Sequence, residues 1–147
     1  MTNISLKNER FTPERGLRVT VQVPQADVRK LIDAVLAVVD LKYGDYDSVS
    51  FRTAIGTQQF RSLGSGRNSE TSGVVDVPCV ELSFFLAEDE AGAIEVLKTI
   101  YAWHPYEEPV VFVDACVRTL HIRGMDEGNP NRFWNKPAAD WVPQDHR

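Results

Sequence analysis

The stretch Leu17-Arg18-Val19-Thr20-Val21-Gln22-Val23 alternates strictly between apolar and polar residues. Because successive side chains of a β-strand point to opposite faces of a sheet, this period of two places the leucine and the three valines on one face. The other face is left polar. The stretch therefore predicts a strand with one buried and one wet side, and it is the clearest strand in the chain.

Two segments have the period of an amphipathic helix. After Pro24, apolar residues recur at spacings of three and four from about Ala26 to Val39. The same spacing returns from Ile94 to Tyr101, behind acidic residues at 88–90, where a helix N-terminus favours negative charge. The sequence therefore predicts one helix directly after the first strand and a second helix that ends near Tyr101.

Further segments have strand character. Ser48–Ile55 and Thr57–Leu63 are interrupted at Gly56, which predicts either one long bent strand with a bulge or a tight hairpin. Pro78–Ala87 predicts a strand in the middle of a sheet. Val110–Val117 is almost continuously apolar, as expected for a strand that is covered on both faces or lies at a subunit contact.

The resulting order, β-α-β-β-α-β, predicts an α+β fold, the ferredoxin-like βαββαβ sandwich. In that fold two helices cover one face of a four-stranded antiparallel sheet. We expect a flexible N-terminal arm over residues 1–16, the domain over residues 17–120 and an extended C-terminal tail over residues 121–147. The tail has no apolar period, yet it contains Phe133, Trp134 and Trp141, which suggests that it docks on a surface.

The predicted sheet carries enough aromatic side chains to be apolar on both faces. We therefore expect the face without helices to be buried in a homo-oligomer. The phenylalanines on which this expectation depends are Phe51, Phe60, Phe84, Phe85 and Phe112.

Composition limits the class of protein. A chain of 147 residues with 43% hydrophobic and 25% charged residues is typical of one soluble globular domain. A net charge of −5 disfavours a nonspecific nucleic-acid binder. No run approaches the roughly 18 apolar residues of a membrane span, and the N-terminus lacks a signal-peptide core. Cys79 and Cys116 lie in apolar runs and are expected to be free thiols, which favours the cytoplasm.

The stretch Ala102-Trp103-His104-Pro105-Tyr106-Glu107-Glu108-Pro109, here called the corner, joins the second helix to the last strand. His104, Glu107 and Glu108 are residue types that ligate a divalent metal such as zinc or manganese. The alternative is structural: the first proline ends the helix, the second starts the strand, and the carboxylates accept backbone hydrogen bonds. Both interpretations stay open.

Three further residues are candidates for ligand binding. Tyr106 either donates its hydroxyl to a ligand or packs its ring against the second helix. Tyr46, in a turn rich in tyrosine and aspartate, either forms the opposite wall of a cleft between subunits or is an ordinary turn residue. Arg67 lies in the glycine-rich loop Gly64–Gly73, which either holds an anion with its amides or is a mobile hairpin tip.

The part His104–Pro109 of the corner, together with Gly44-Asp45-Tyr46-Asp47-Ser48 and the segment Ile55–Arg61, resembles small proteins labelled "structural toxin protein RtxA". It is also similar to the inserted domain of the NGG-interacting-factor, dimetal-binding family. The resemblance covers about Leu17–Val117. It implies a ferredoxin-like fold of the CutA and PII signalling-protein type, commonly trimeric. Relatives usually continue past the second proline with a small residue, Tyr and Asp, where this chain has residues 110–112 as Val-Val-Phe.

Three functions follow as hypotheses. The first is a non-enzymatic, cytoplasmic homotrimer that binds a small ligand or divalent metal at subunit clefts near the corner and transmits binding through the loop Gly64–Gly73. The second is a metal-assisted hydrolase with Glu107 or Glu108 as base and His104 as ligand. The third is a structural interaction domain that acts through its aromatic tail. The cofactor is left open, with a divalent metal ion as the candidate.

Overall fold

The computed structural model describes residues 5–87, 90–137 and 143–146. Trp141 and the acidic residues Glu88 and Asp89, on which sequence-based expectations rest, lie outside the described residues. The strands are β1 (Phe11–Val23), β2 (Phe51–Arg52), β3 (Gly56–Phe60), β4 (Val75–Ala87) and β5 (Val110–His121), and the helices are α1 (Val28–Leu36), which follows a 3-10 turn at Gln25–Asp27, and α2 (Glu90–Trp103).

Within the described residues, all strand pairs are antiparallel and the strands lie in the order β2-β4-β1-β5, with β3 pairing the other half of β4. Both helices cover one face of this sheet, and their side chains join those of β1 and β4 in a single core. The predicted α+β ferredoxin-like fold of the CutA and PII type is therefore confirmed. No helix in the described ranges has the length and apolar character needed to cross a membrane.

The core forms where the sequence period predicts it. Val19, Val21 and Val23 of β1 have no exposed surface, and neither have Leu31 of α1 and Ile100 of α2. Each such side chain contributes about 1.5–3 kcal/mol relative to an exposed position. The alternation of β1 is thus the main source of the fixed contact between sheet and helices.

β2 and β3 are two parts of one bent strand rather than a hairpin. Phe51 and Arg52 pair with Ser83 and Leu82, and Gly56 then pairs with Cys79. Three residues, 53–55, therefore oppose only two residues of β4, which is the pattern of a β-bulge. The hairpin instead joins β3 to β4, and its connection contains the loop Gly64–Gly73.

β1 begins at Phe11 rather than at Leu17, because residues 11–16 continue the ladder with β5 as far as the pair Phe11–His121. These six residues have no apolar alternation. They form a strand because a long partner strand pairs with them. At Gly16 the ring of Phe85 lies so close that a Cβ atom would collide with it. The division into arm, domain and tail stays a prediction.

The sheet face opposite the helices is partly apolar and open. Phe51 is 70% exposed and Phe112 is 52% exposed, whereas Phe84 lies in the core and Phe85 packs against the guanidinium of Arg118 at 4.0 Å. Among the described strands, β5 lies at the edge of the sheet, with Val113 43% exposed. The expectation that β5 is covered on both faces is therefore wrong within one chain, and the alternative, a subunit contact, stays a prediction.

The described part of the tail is anchored to the start of β1 by a charged cluster. Asp126 accepts two hydrogen bonds from Arg10, both 3.0 Å, and one from Arg132 at 2.9 Å. The backbone N–H of Ile122 donates to the carbonyl of Arg10 at 3.0 Å. Hydrogen bonds from Arg132, Arg10 and Asn129 lower the pKa of Asp126 to about 2 from its usual 3.8.

This cluster makes the anchoring of the tail dependent on pH. Because the pKa of Asp126 is lowered in the folded protein, its contribution is present above pH 3.8 and is lost as the pH falls through about 2. Titration of the Asp126 carboxyl carbon by NMR should give a midpoint near 2. Arg132→Gln and Arg10→Gln should each raise that midpoint, and Arg123→Gln, which removes a pair with Asp45 instead, should leave it unchanged. An unshifted midpoint in the first two variants would contradict the assignment.

Candidate functional site

His104 fixes the corner to the sheet. It follows α2, and its backbone N–H donates to the carbonyl of Ile100 at 2.9 Å. Its ring is only 7% exposed, with Nε2 2.7 Å from the carbonyl oxygen of Gln22 and Nδ1 3.0 Å from the backbone nitrogen of Tyr106. A carbonyl only accepts and an amide N–H only donates, so the ring is neutral with its proton on Nε2. Both ring nitrogens therefore have partners within the chain.

Tyr106 packs on this histidine. The two ring centroids are 4.9 Å apart and the rings are tilted by 58°. The tyrosine is half-buried, and burial raises its pKa, so its phenol stays protonated at neutral pH. This ring contact is with His104, which follows α2, and ligand binding by Tyr106 stays a prediction.

Glu107 contacts the glycine-rich loop, 40 residues earlier in the chain. Its Oε1 atom accepts a hydrogen bond from the backbone N–H of Arg67 at 3.2 Å. A Cβ atom at Gly66 would lie 2.5 Å from the same oxygen, so a side chain there would require the Glu107 carboxylate to shift. At its base the loop is closed by Ser62 and Thr71, which exchange hydrogen bonds of 3.1 and 3.2 Å. The loop is therefore docked on the corner through its backbone.

A chain of polar side chains begins behind His104, on the face of the sheet without helices. Gln58 donates to Gln22 Oε1 at 2.9 Å, and Gln22 donates to Glu81 Oε2 at 3.1 Å. The backbone N–H of Glu81 in turn donates to the hydroxyl of Thr53 at 3.0 Å. These residues and Cys79 line a cavity of about 320 Å³. Burial, followed by the charge of Glu81, raises the pKa of Cys79, which keeps the thiol protonated.

Sequence reasoning missed this polar chain. Gln22 lies on the wet face of the clearest strand, and Glu81 lies opposite two apolar neighbours in β4. The sequence signal for the polar chain was therefore the set of polar residues that alternate with apolar residues in β1 and β4. The pairing Gln22–Glu81, which joins them, depends on a register between strands nearly sixty residues apart.

The structure brings together some of the candidate ligand residues and not others. Tyr106 belongs to the corner, and the backbone of Arg67 is bonded to its neighbour Glu107. Tyr46 is 74% exposed in a turn that is held by the hydroxyl of Tyr43, which donates to the carbonyl of Thr119 at 2.7 Å. Thr119 lies near the end of β5, and the corner precedes its start. The turn that contains Tyr46 and the corner therefore lie at opposite ends of β5.

The predicted metal ligands are not gathered within one chain. Across the described ranges, no group of three or more His, Cys, Asp or Glu side chains is arranged to hold a metal ion. Glu107 and Glu108 are exposed, and His104 would have to give up one of its two hydrogen bonds. A metal site at His104, Glu107 and Glu108 stays a prediction.

No protein-family model and no curated protein matches this sequence. Solved structures do match. A Bacillus cereus protein related to NIF3 is 22% identical with a TM-score of 0.58, over 71% of this chain and 26% of that protein. The divalent ion tolerance protein CutA1 from Ehrlichia chaffeensis is 8% identical with a TM-score of 0.50, over 78% of this chain and 87% of its own.

These likenesses show a shared fold. This chain spans about a quarter of the NIF3-related protein and most of the CutA1 chain. At such low identity the shared feature is the arrangement of helices and strands, and activities belong to the sites that individual sequences build on it.

His104→Ala should destabilise the protein by about 2–4 kcal/mol, because it leaves the Gln22 carbonyl and the Tyr106 amide without partners and opens a cavity. Urea denaturation measures the free energy of unfolding. His121→Ala, at an exposed position at the end of β5, is the matched control and should change it by less than about 0.5 kcal/mol. Equal effects of the two substitutions would show that the His104 hydrogen bonds do not hold the corner.

Proposed function

We propose that this chain is a homo-oligomeric, non-enzymatic regulatory protein that binds a small ligand at subunit clefts beside the corner. Binding there changes the position of the loop Gly64–Gly73, which carries the signal. The proposed ligand-binding residues are Tyr106, Tyr46 and Arg67.

One observation carries the proposal: the loop is docked on the corner by the hydrogen bond from the Arg67 amide to Glu107. The contact is single, charge-assisted and exposed, so a ligand that engages the Glu107 carboxylate would compete directly with the loop. Gly66 lies against the same carboxylate, and a Cβ atom there would displace the end of the Glu107 side chain.

Exposed apolar groups support a homo-oligomer, for which we propose a homotrimer. Phe51 and Phe112 are more than half exposed on the open face of the sheet, and the edge strand β5 leaves Val113 exposed on the helix side. We propose that the same contact brings Tyr46 of one subunit towards the corner of another. The free thiols Cys79 and Cys116 support a reducing compartment such as the cytoplasm.

A divalent metal is the alternative ligand within the same proposal. Glu107 and Glu108 offer exposed carboxylates, and the solved neighbour from Ehrlichia chaffeensis carries the name divalent ion tolerance protein. His104 would join them only after losing its bond to Gln22 or to Tyr106. Carboxylates from two subunits would then complete the coordination.

Glu107→Ala should release the loop, whereas Glu108→Ala, an equal change at the adjacent exposed position, should not. Hydrogen–deuterium exchange followed by mass spectrometry reports this as faster exchange over residues 64–73 in the first variant only. Addition of Mn²⁺ to the native protein should have the same effect if a metal occupies Glu107. Identical exchange in both variants and the native chain would refute the coupling of loop and corner.

The assembly has its own test. Light scattering after size-exclusion chromatography should give about 50 kDa, three times the chain mass of 16.6 kDa. Phe112→Asp should shift the protein towards the monomer, since a charge would be buried at the contact. Ile94→Asp, at a position 48% exposed on α2, is the control and should leave the mass unchanged. A native monomer would overturn the homotrimer.

A further inference from the structure

A groove lies between α1 and the segment that leads into β2. It is on the opposite side of the sheet from the cavity that Gln22, Gln58 and Cys79 line. It has a volume of about 460 Å³, within the range of small-molecule sites. On the helix side it is lined by Arg29, Ile32, Asp33 and Leu36, which share one stripe of α1 by their spacing of three and four. This stripe is displaced from the residues of α1 that fill the core.

Arg52 enters this groove at a position that elsewhere belongs to the core. It pairs directly with Leu82, which is 2% exposed between the sheet and the helices. Directly paired residues of an antiparallel sheet share a face, so Arg52 lies on the face that the helices cover. β2 is only two residues long and lies at the edge of the sheet. It carries a guanidinium at a position where a core strand would carry an apolar side chain.

The positive charge of Arg52 is not neutralised within the described part of the chain, where its side chain has no hydrogen bond or ion pair. Arg29 approaches Asp33 at 3.6 Å, but both side chains are well exposed, and such a pair is weak. Two guanidinium groups therefore face one groove against one carboxylate.

Hydroxyl groups complete the polar wall. Ser48 and Ser50 line the groove beside Arg52, and the Ser48 hydroxyl donates to Asp47 Oδ1 at 3.0 Å. Ser48 has a φ of 58°, an uncommon backbone conformation for a residue with a side chain, and hydrogen bonds from its N–H to Asp40 and from the next N–H to Leu41 hold it there. Such strain persists only where the surrounding structure enforces it.

We propose that this groove binds a small organic phosphate, a phosphate monoester of a compact apolar group. Arg29 and Arg52 would hold the phosphate together with the Ser50 hydroxyl, because guanidinium groups match phosphate oxygens in pairs. Two guanidiniums and a hydroxyl offer more donors than the two oxygens of a carboxylate use. The apolar group would lie on Ile32, Leu36 and Leu82.

The net charge of −5 bears on how an anion could bind. An acidic protein repels anions in general, so an anion that binds does so by local contacts rather than by the overall field. The competing role of Arg52 is to keep the short edge strand β2 from pairing with another chain. That role needs no ligand and predicts no saturable binding.

Phenyl phosphate is a suitable probe, and its binding to the native protein can be followed by ¹H–¹⁵N NMR. Saturable shifts are expected at the amides of Ser48, Ser50 and α1. Arg52→Gln should weaken binding about tenfold, the effect of one charge-assisted hydrogen bond. Arg18→Gln removes the same charge from the other face of the sheet, at an exposed position of β1, and should leave the affinity unchanged.

Three results would overturn the proposal: no saturable binding of phenyl phosphate, equal weakening by Arg52→Gln and Arg18→Gln, or tighter binding of phenylacetate than of phenyl phosphate. Inorganic phosphate should bind to the same amides more weakly than phenyl phosphate, since it lacks the apolar contact. Equal affinity of the two would refute the apolar subsite. Because Arg52 is exposed, its variant should unfold at the urea concentration of the native protein, which confirms that the groove itself is intact.

Discussion

The period of two in β1 is the constraint on which the rest of the structure depends. One phase of the strand supplies Val19, Val21 and Val23, which pack against both helices with no exposed surface. The other phase supplies Gln22, whose side chain bonds to Gln58 and Glu81 and whose carbonyl accepts from His104. A slip of one residue would exchange the two phases. The same register thus fixes the core and the position of the corner.

Much of the fold was predictable because these signals are local. The alternation of Leu17–Val23 and the helical spacing after Pro24 depend on neighbouring residues alone, and both elements are present. Residues 11–16 show why other parts were not predictable. They form a strand only because β5 pairs with them from a hundred residues away, and their own sequence has no strand period. The edge position of β5 is likewise set by topology.

The polar residues between two prolines identified the corner as a candidate site. The hydrogen-bond partners of its individual side chains were not predictable. His104 uses both ring nitrogens on backbone groups, one of them 82 residues away in β1. Glu107 reaches Arg67 across 40 residues. Composition can indicate that carboxylates and imidazole lie together. Which of them are already satisfied within the fold depends on contacts between distant segments, which the sequence pattern does not encode.

The bulge at residues 53–55 separates the two candidate sites. Before it, Phe51 faces the open side of the sheet and Arg52 the helix side, as their pairing with Ser83 and Leu82 requires. Without the extra residue, Gln58 would share the phase of Arg52 and point to the helix side. The extra residue reverses the phase, so Gln58 lies on the open side, where it bonds to Gln22. At the bulge the hydroxyl of Thr53 accepts a hydrogen bond from the backbone N–H of Glu81, so this N–H keeps a partner. One inserted residue therefore gives a single sheet edge two chemically different faces: an arginine groove beside α1 and an amide-lined cavity beside the corner.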